Sequence, residues 1–205
     1  MQAIQRLASA AALAALVSFA PSLAPADEPK TAIFAGGCFW CVESDFDHLP
    51  GVLDTTSGYT GGTLPDPTYE NHEGHVEAVR VTYDPAKVSY DTLLKVFWHS
   101  VDPTDAGGQF CDRGYAYTTA IFANDDAELK EAERSKADVA KSLGQPVATA
   151  IRRAGPFTEA EGYHQDYYKK NPIKYQYYRY GCGRNERVKA VWGDDAYLGI
   201  KDAMS

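Results

Sequence analysis

An α+β fold is the architecture that this sequence predicts, on three observations. Runs rich in β-branched residues, such as Val76 to Tyr83, sit among runs with helical spacing, such as Asp125 to Leu143. The two kinds do not alternate strictly, as a doubly wound parallel sheet would require. No repeat, low-complexity stretch or long linker divides the chain after its leader, so residues 27–205 are predicted to form one domain with a real core.

In chain order, residues 1–26 read as a secretory signal peptide. Arg6 supplies the basic start, Leu7 to Ala20 is almost wholly apolar, and Ala24-Pro25-Ala26 has the small-x-small form of a cleavage site. The product is then expected to be exported, periplasmic, and without stable membrane insertion after cleavage. Thr31 to Ala35 is an apolar strand. Gly36 and Gly37 allow a sharp turn into a helix near 38–48, with no breaker before Pro50 and with acids at 43, 45 and 47 suiting an early turn. An extended run near 52–59 and a Gly/Pro/Thr-rich loop from Gly61 to Gly74 follow. Val76 to Tyr83 is the next strand. Ser89 is an N-cap type residue before helical spacing from Tyr90 to Val101. Thr118 to Ala123 is a strand candidate, and Asp125 to Leu143 the clearest helix, stopped by Gly144 and Pro146. Val147 to Ile151 is expected to be extended, 158–169 a short helix, and the tyrosine-rich tail loops and short helices around the core.

The charge excludes some functions. Loss of Arg6 alone takes 20 bases to 19 against 28 acids, a net −9 with the histidines neutral. So acidic a protein is unsuited to broad nucleic-acid binding or to anionic lipid.

Chemistry is expected at Cys38. A thiol at a helix N-terminus meets unpaired N–H groups and the positive end of the dipole, which lower its pKa and favour the thiolate. A small buried hydrophobe is the plainer reading of a cysteine, but two glycines, two aromatics and Cys41 three residues on favour a reactive thiol. Cys38-x2-Cys41 is half a zinc site with no matching second pair, since Cys111 and Cys182 stand apart. His72 and His75 are spaced i, i+3 around Gly74 and read as loop histidines rather than a zincin helix, and Val42 takes the place of the histidine that haem attachment needs. No metal is expected. A thioredoxin-like disulfide carrier is the stronger rival, because it too places Cys-x-x-Cys at a helix start. A tyrosine-lined or acidic pocket built from distant residues would distinguish an enzyme from such a carrier.

The sequence Gly36-Gly37-Cys38-Phe39-Trp40-Cys41 resembles the active-site sequence of the A-type peptide methionine sulfoxide reductases. The resemblance continues through Gly58 to Gly62, Pro67 to Tyr69, Gly74 to Arg80, Tyr83 to Pro85, Asp102 to Thr104, Asp112 to Gly114 with Tyr117, Tyr163 to Gln165 and Lys170 to Pro172. These blocks keep the family's order over nearly the whole mature chain. The resemblance implies a two-layer α+β sandwich with a ferredoxin-like core and a loop-rich C-terminal tail. It also implies reduction of methionine-S-sulfoxide, free or in proteins, by a peptide-methionine (S)-S-oxide reductase that repairs oxidised proteins without a cofactor, drawing electrons from a thioredoxin-like donor.

Residue by residue, Cys38 matches the nucleophile, whose attack releases methionine and leaves a sulfenic acid. Glu77 matches the proton donor, with a carboxyl pKa raised by an apolar cleft. Tyr69 and Tyr117 match the hydroxyls that hold the sulfoxide oxygen, and Asp112 a residue that positions groups around the site. Phe39 and Trp40 match the aromatic walls around the substrate methyl, and His164 lies in a matching block assigned to substrate binding. Three departures concern the other cysteines: Cys41 replaces a small residue, Cys111 precedes Asp112 where a polar residue is usual, and Cys182 lies farther along than the usual C-terminal cysteine. Cys41 is the expected resolving thiol, with Cys111 and Cys182 paired to each other; the competing assignment makes Cys182 the resolver.

Overall fold

The computed structural model describes residues 28–200. The signal peptide expected over 1–26 lies outside them. Among the described residues no helix is long and apolar enough to cross a membrane.

The chain is mixed α+β, with a six-stranded sheet. Strand β1 (Lys30–Gly36) is flanked by β3 (Val76–Tyr83) and β6 (Thr119–Ala123), both antiparallel to it. Strand β2 (Val52–Thr60) continues beyond β3, and β8 (Phe157–Glu159) beyond β2; β7 (Ala150–Arg153) runs parallel to β6 at the other edge. The order is therefore β7-β6-β1-β3-β2-β8. The two edge strands are joined by only Ala154 to Pro156, a link that spans roughly 10–14 Å when extended. The sheet must curl to bring its edges so close, and Ala154 and Phe157 pack with Ile33, Ala35, Ala78 and Phe122 on its inner face.

The outer face is covered by α1 (Phe39–Asp47), α2 (Tyr90–Trp98) and α3 (Asp126–Leu143). Phe34 of β1 stacks on Phe46 of α1 at 4.9 Å between centroids and on Phe97 of α2 at 5.2 Å, the centre of the main core. The cap of α2 is the one the sequence suggests, and that of α3 is supplied by Asp125, expected as the first helical residue. Ser89 Oγ accepts from Thr92 N at 3.1 Å, and Asp125 caps α3 through Glu128 N at 2.9 Å. The core is built from Phe, Tyr, Trp, Val, Leu, Ile and Ala with two free cysteines. It contains no methionine, because the two methionines of the chain, Met1 and Met204, both fall outside the described residues.

The C-terminal part differs from expectation. Residues 158–169 do not form one helix: Phe157–Glu159 pairs with β2, Glu159 opposite Gly58, and helix appears only in α4 (Tyr167–Lys170). Pairing to an open sheet edge overrides the local preference. The extended segment expected at 147–151 is shifted to β7. The tail is helical, in α5 (Pro172–Gly181) and α6 (Arg184–Trp192). Pro172 occupies the first turn of α5, where its missing N–H costs nothing. A small hairpin of β4 (Gly108–Gln109) and β5 (Asp112–Arg113) was not expected.

The acids of α1 explain why this tail docks. None lies in the first turn. Instead Glu43 accepts from Asp166 N at 3.1 Å, Asp45 pairs with Arg179 at 2.8 Å, and Asp47 accepts from the Tyr168 hydroxyl at 2.7 Å. They anchor the C-terminal segment rather than offset the helix dipole.

Candidate active site

The β1–α1 turn presents Cys38. Gly37 has φ +84°, and a Cβ there would lie 2.6 Å from Cβ of Gln109, so both the backbone angle and the space demand glycine. Cys38 is the N-cap residue of α1, and its carbonyl accepts from Cys41 N at 3.1 Å and Val42 N at 3.3 Å. Around its sulfur is a cavity of about 60 Å³ lined by Phe39, Trp40, Tyr69, Glu77, Asp112, Tyr117 and Tyr178. Residues from five separate parts of the chain thus converge on one thiol. All the residues predicted for the site are there except Cys41, which lies beneath Cys38, the Cys111–Cys182 pair, and His164.

Glu77, on β3, is only 1 % exposed. Its Oε2 accepts from Phe39 N at 3.0 Å. Burial raises its carboxyl pKa to about 8, against the smaller opposing effect of the Phe39 amide and the Tyr117 hydroxyl. The group is therefore protonated at neutral pH and can donate. Asp112 is also pushed up by burial, with the Tyr178 hydroxyl, donating to its Oδ2 at 2.5 Å, pulling the other way.

His164 does not line the cavity. It is buried behind the aromatic wall, where its Nδ1 accepts from Trp40 Nε1 at 3.0 Å and its ring packs on Tyr69 at 4.5 Å and Phe39 at 5.0 Å. Burial lowers its pKa, so it is a neutral acceptor that fixes Trp40. Trp40 is further held by stacking on Tyr167 at 3.8 Å. The loop histidines are structural as expected: His72 bonds to the Thr68 carbonyl at 3.0 Å and His75 to that of Leu64 at 3.0 Å.

The electrostatics of the thiols reverse one expectation. Cys38 is not held down by the helix end. Complete burial drives its pKa well above the ordinary value, and its hydrogen bond with Cys41 adds to the rise. The thiol held down is Cys41, at about 7, first by the bond from Cys38 and then, against burial, by Arg184 and Arg179.

Cys111 and Cys182 form a disulfide with 4.9 Å between Cα atoms. It joins the β4–β5 hairpin to the end of α5, beside Asp112 and one turn after Tyr178, so it fastens two parts of the cavity wall together. The sulfurs of Cys111 and Cys182 beside Asp112 are bonded to each other rather than offered as ligands. Tyr178 is the wall residue that sequence reasoning missed; only its place in a tyrosine-rich tail hinted at it.

The sequence pattern described as peptide methionine sulfoxide reductase matches residues 30–196. The chain belongs to this family. Among its relatives, "Peptide methionine sulfoxide reductase MsrA 2" of Rhizobium meliloti is 55 % identical over 179 residues, covering 86 % of this chain and 90 % of the relative. The MsrA of Bacillus subtilis is 49 % identical over 173 residues, covering 82 % and 98 %. In solved structures, methionine sulfoxide reductase A of Corynebacterium diphtheriae superposes with a TM-score of 0.68 at 31 % identity, covering 71 % of this chain and 76 % of that one. Reduced Mxr1 of Saccharomyces cerevisiae superposes with a TM-score of 0.65 at 30 % identity, covering 71 % and 87 %.

Proposed function

We propose that this member of the family reduces methionine-S-sulfoxide, free or in proteins, to methionine. The observation that carries the reading is the convergence of Cys38, a protonated Glu77 and the hydroxyls of Tyr69, Tyr117 and Tyr178 on one small cavity. A disulfide carrier has no use for such a cavity, and the family membership points the same way.

The sulfoxide methyl sits between Phe39 and Trp40, and its oxygen faces the tyrosine hydroxyls and Glu77. A sulfoxide sulfur is a poor electrophile until its oxygen takes a proton. Glu77 supplies it, in a site where water is scarce and hydrogen bonds are strong. Cys38 gives up its own proton as it attacks, and that proton replaces the one Glu77 has given, so Cys41 keeps its own state for the next step. Oxygen passes to Cys38, giving a sulfenic acid and the thioether, with no net gain or loss of protons.

Cys41 then attacks the sulfenic sulfur. The S–S bond forms, the S–O bond breaks, and the departing hydroxide takes a proton to become water. Support for Cys41 is its contact with Cys38 and the fact that Cys182 is already bonded to Cys111. A thioredoxin-like donor reduces the Cys38–Cys41 bond. The leader-like residues 1–26 support an exported, periplasmic protein, and the helices on one face of β1, β2 and β3 support a two-layer sandwich with a ferredoxin-like core.

The test offers each sulfoxide epimer separately to residues 27–205 with dithiothreitol. Methionine release from the S epimer alone is expected. Reduction of insulin disulfides without sulfoxide turnover would overturn the reading in favour of a carrier.

A further inference from the structure

The side of Cys41 turned away from the cavity faces a buried charge cluster that the reaction so far leaves unused. Asp45 lies one turn beyond Cys41 on α1, hence on the same helix face. Arg179 from α5 reaches it at 2.8 Å and Arg184 from α6 at 3.5 Å. Arg179 and Arg184 are only 5 % and 1 % exposed. Arg184 also donates to the carbonyls of Gly36 at 3.1 Å and Ser100 at 2.9 Å, which fixes it against the turn that carries Cys38. Arg179 donates to the Tyr175 hydroxyl and to Asn185, both at 2.8 Å.

Two guanidiniums share one carboxylate, so the cluster carries a surplus positive charge. Its donors are also incompletely used: among the described residues Nη2 of Arg179 and Nε of Arg184 have no hydrogen-bond partner. Buried charge is expensive unless an anion answers it. Asp112 feels Arg184 as well, but its carboxyl takes the Tyr178 hydroxyl on the cavity side. The groups facing Cys41 are Cys38 at the helix cap, Glu77 from β3, Asp45 from α1, Tyr175 and Tyr178 from α5, and the two arginines. Of the uncharged ones at neutral pH, Cys41 is the group whose ionisation the arginines favour most directly.

We propose that Arg179 and Arg184 are positioning residues for the resolving step, their surplus charge holding Cys41 as a thiolate aimed at Cys38. The inference rests on Cys41 being the resolver. The thiolate attacks the Cys38 sulfenic sulfur without first having to lose a proton. The same charge serves the reverse exchange: when a dithiol reductant attacks the more accessible Cys38, Cys41 leaves as an anion already stabilised. The lowered position of the Cys41 thiol agrees with this arrangement.

The test isolates Cys41 in full-length Cys38→Ser protein with the Cys111–Cys182 bond intact, and follows thiolate absorbance at 240 nm against pH. The same protein carrying Cys41→Ser is the blank. Adding Arg179→Gln is expected to raise the inflection by about one pH unit, roughly a fivefold loss of thiolate at pH 7 for a thiol that titrates at about 7. Adding Asp45→Asn, which enlarges the surplus charge, is expected to lower it, and Arg179→Lys to leave it within a few tenths. Opposite movements for Arg179→Gln and Asp45→Asn are not expected of residues that only hold the fold together. An unmoved inflection, or movement in the same direction in both, overturns the proposal. If Arg179→Gln does not fold, an inflection that stays or rises in Asp45→Asn does so alone. Rapid quench of the protein with all four cysteines adds a separate readout: Arg179→Gln should slow Cys38–Cys41 disulfide formation about fivefold at pH 7 while sparing the first methionine release. Peptide mapping of a Cys38–Cys182 bond instead would sink the assignment of the resolver, whatever the absorbance shows.

Discussion

Glu77→Gln separates proton donation from everything else that Glu77 does. The amide oxygen of glutamine can still accept from Phe39 N, so the turn that carries Cys38 should stay in place. What is lost is the acidic proton. With a carboxyl titrating at about 8, roughly 90 % of the protein carries that proton at pH 7 and roughly 10 % at pH 9. A positioned general acid contributes about 10²- to 10⁴-fold, so the single-turnover rate should fall at least about a hundredfold, or about 2.7 kcal/mol of barrier. The assay is rapid quench with methionine quantified against time, at saturating sulfoxide, from pH 6 to pH 10. The parent rate should decline as pH rises through about 8, and the variant should lose that decline while KM changes little. A variant that keeps the parent rate, or keeps the same alkaline limb, would remove Glu77 from the acid role. The stability sign runs the other way from the usual carboxylate: the folded protein holds this proton more tightly than the unfolded chain, whose carboxyl titrates near its ordinary value of 4.5. Stability is therefore lost as pH climbs from that value toward about 8, and Glu77→Gln should resist denaturant better than the parent at pH 9.

Tyr178→Phe deletes the hydroxyl that donates to Asp112 in the cavity wall, and should lower first-turnover rate about tenfold with little change in melting temperature, as kinetics and calorimetry would show. An unchanged rate would make Tyr178 part of the packing alone. The double variant Cys111→Ser/Cys182→Ser opens a loop of 71 residues and should cost about 4 kcal/mol in chemical denaturation on the chain-entropy estimate, while still forming the Cys38–Cys41 bond. Failure of the folded double variant to turn over would return the resolving role to Cys182.

The parts of the site set by local sequence were legible. Gly36, Gly37 and Cys38 announce a tight turn into a helix because only glycine tolerates that backbone, and the strand around Glu77 follows from its β-branched run. The curl of the sheet was not, since β8 is a strand only because β2 offers it an open edge. Tyr178, Arg179 and Arg184 were equally hidden: nothing in a tyrosine-rich tail says that α5 and α6 dock on the acids of α1, more than a hundred residues earlier. The acids were visible but read as dipole partners, since their true partners are distant in sequence. The thiol order was missed for the same reason. Helix position favours Cys38, but the hydrogen bond between the two thiols, the burial of Cys38 and then the two arginines decide for Cys41, and the burial and the arginines are tertiary facts.

A core without thioether sulfur has a consequence for survival under the conditions that create the substrate. Oxidants that turn methionine into its sulfoxide insert a polar, chiral group wherever that side chain is packed. Here the interior formed by the described residues offers them aromatic and aliphatic carbon and two thiols. Of those two, Cys38 has its oxidised form built into the cycle. Among the described residues the repair enzyme thus needs no repair of its own kind: on the proposed cycle, the vulnerable sulfur inside them is the one that a reductant regenerates on every turnover.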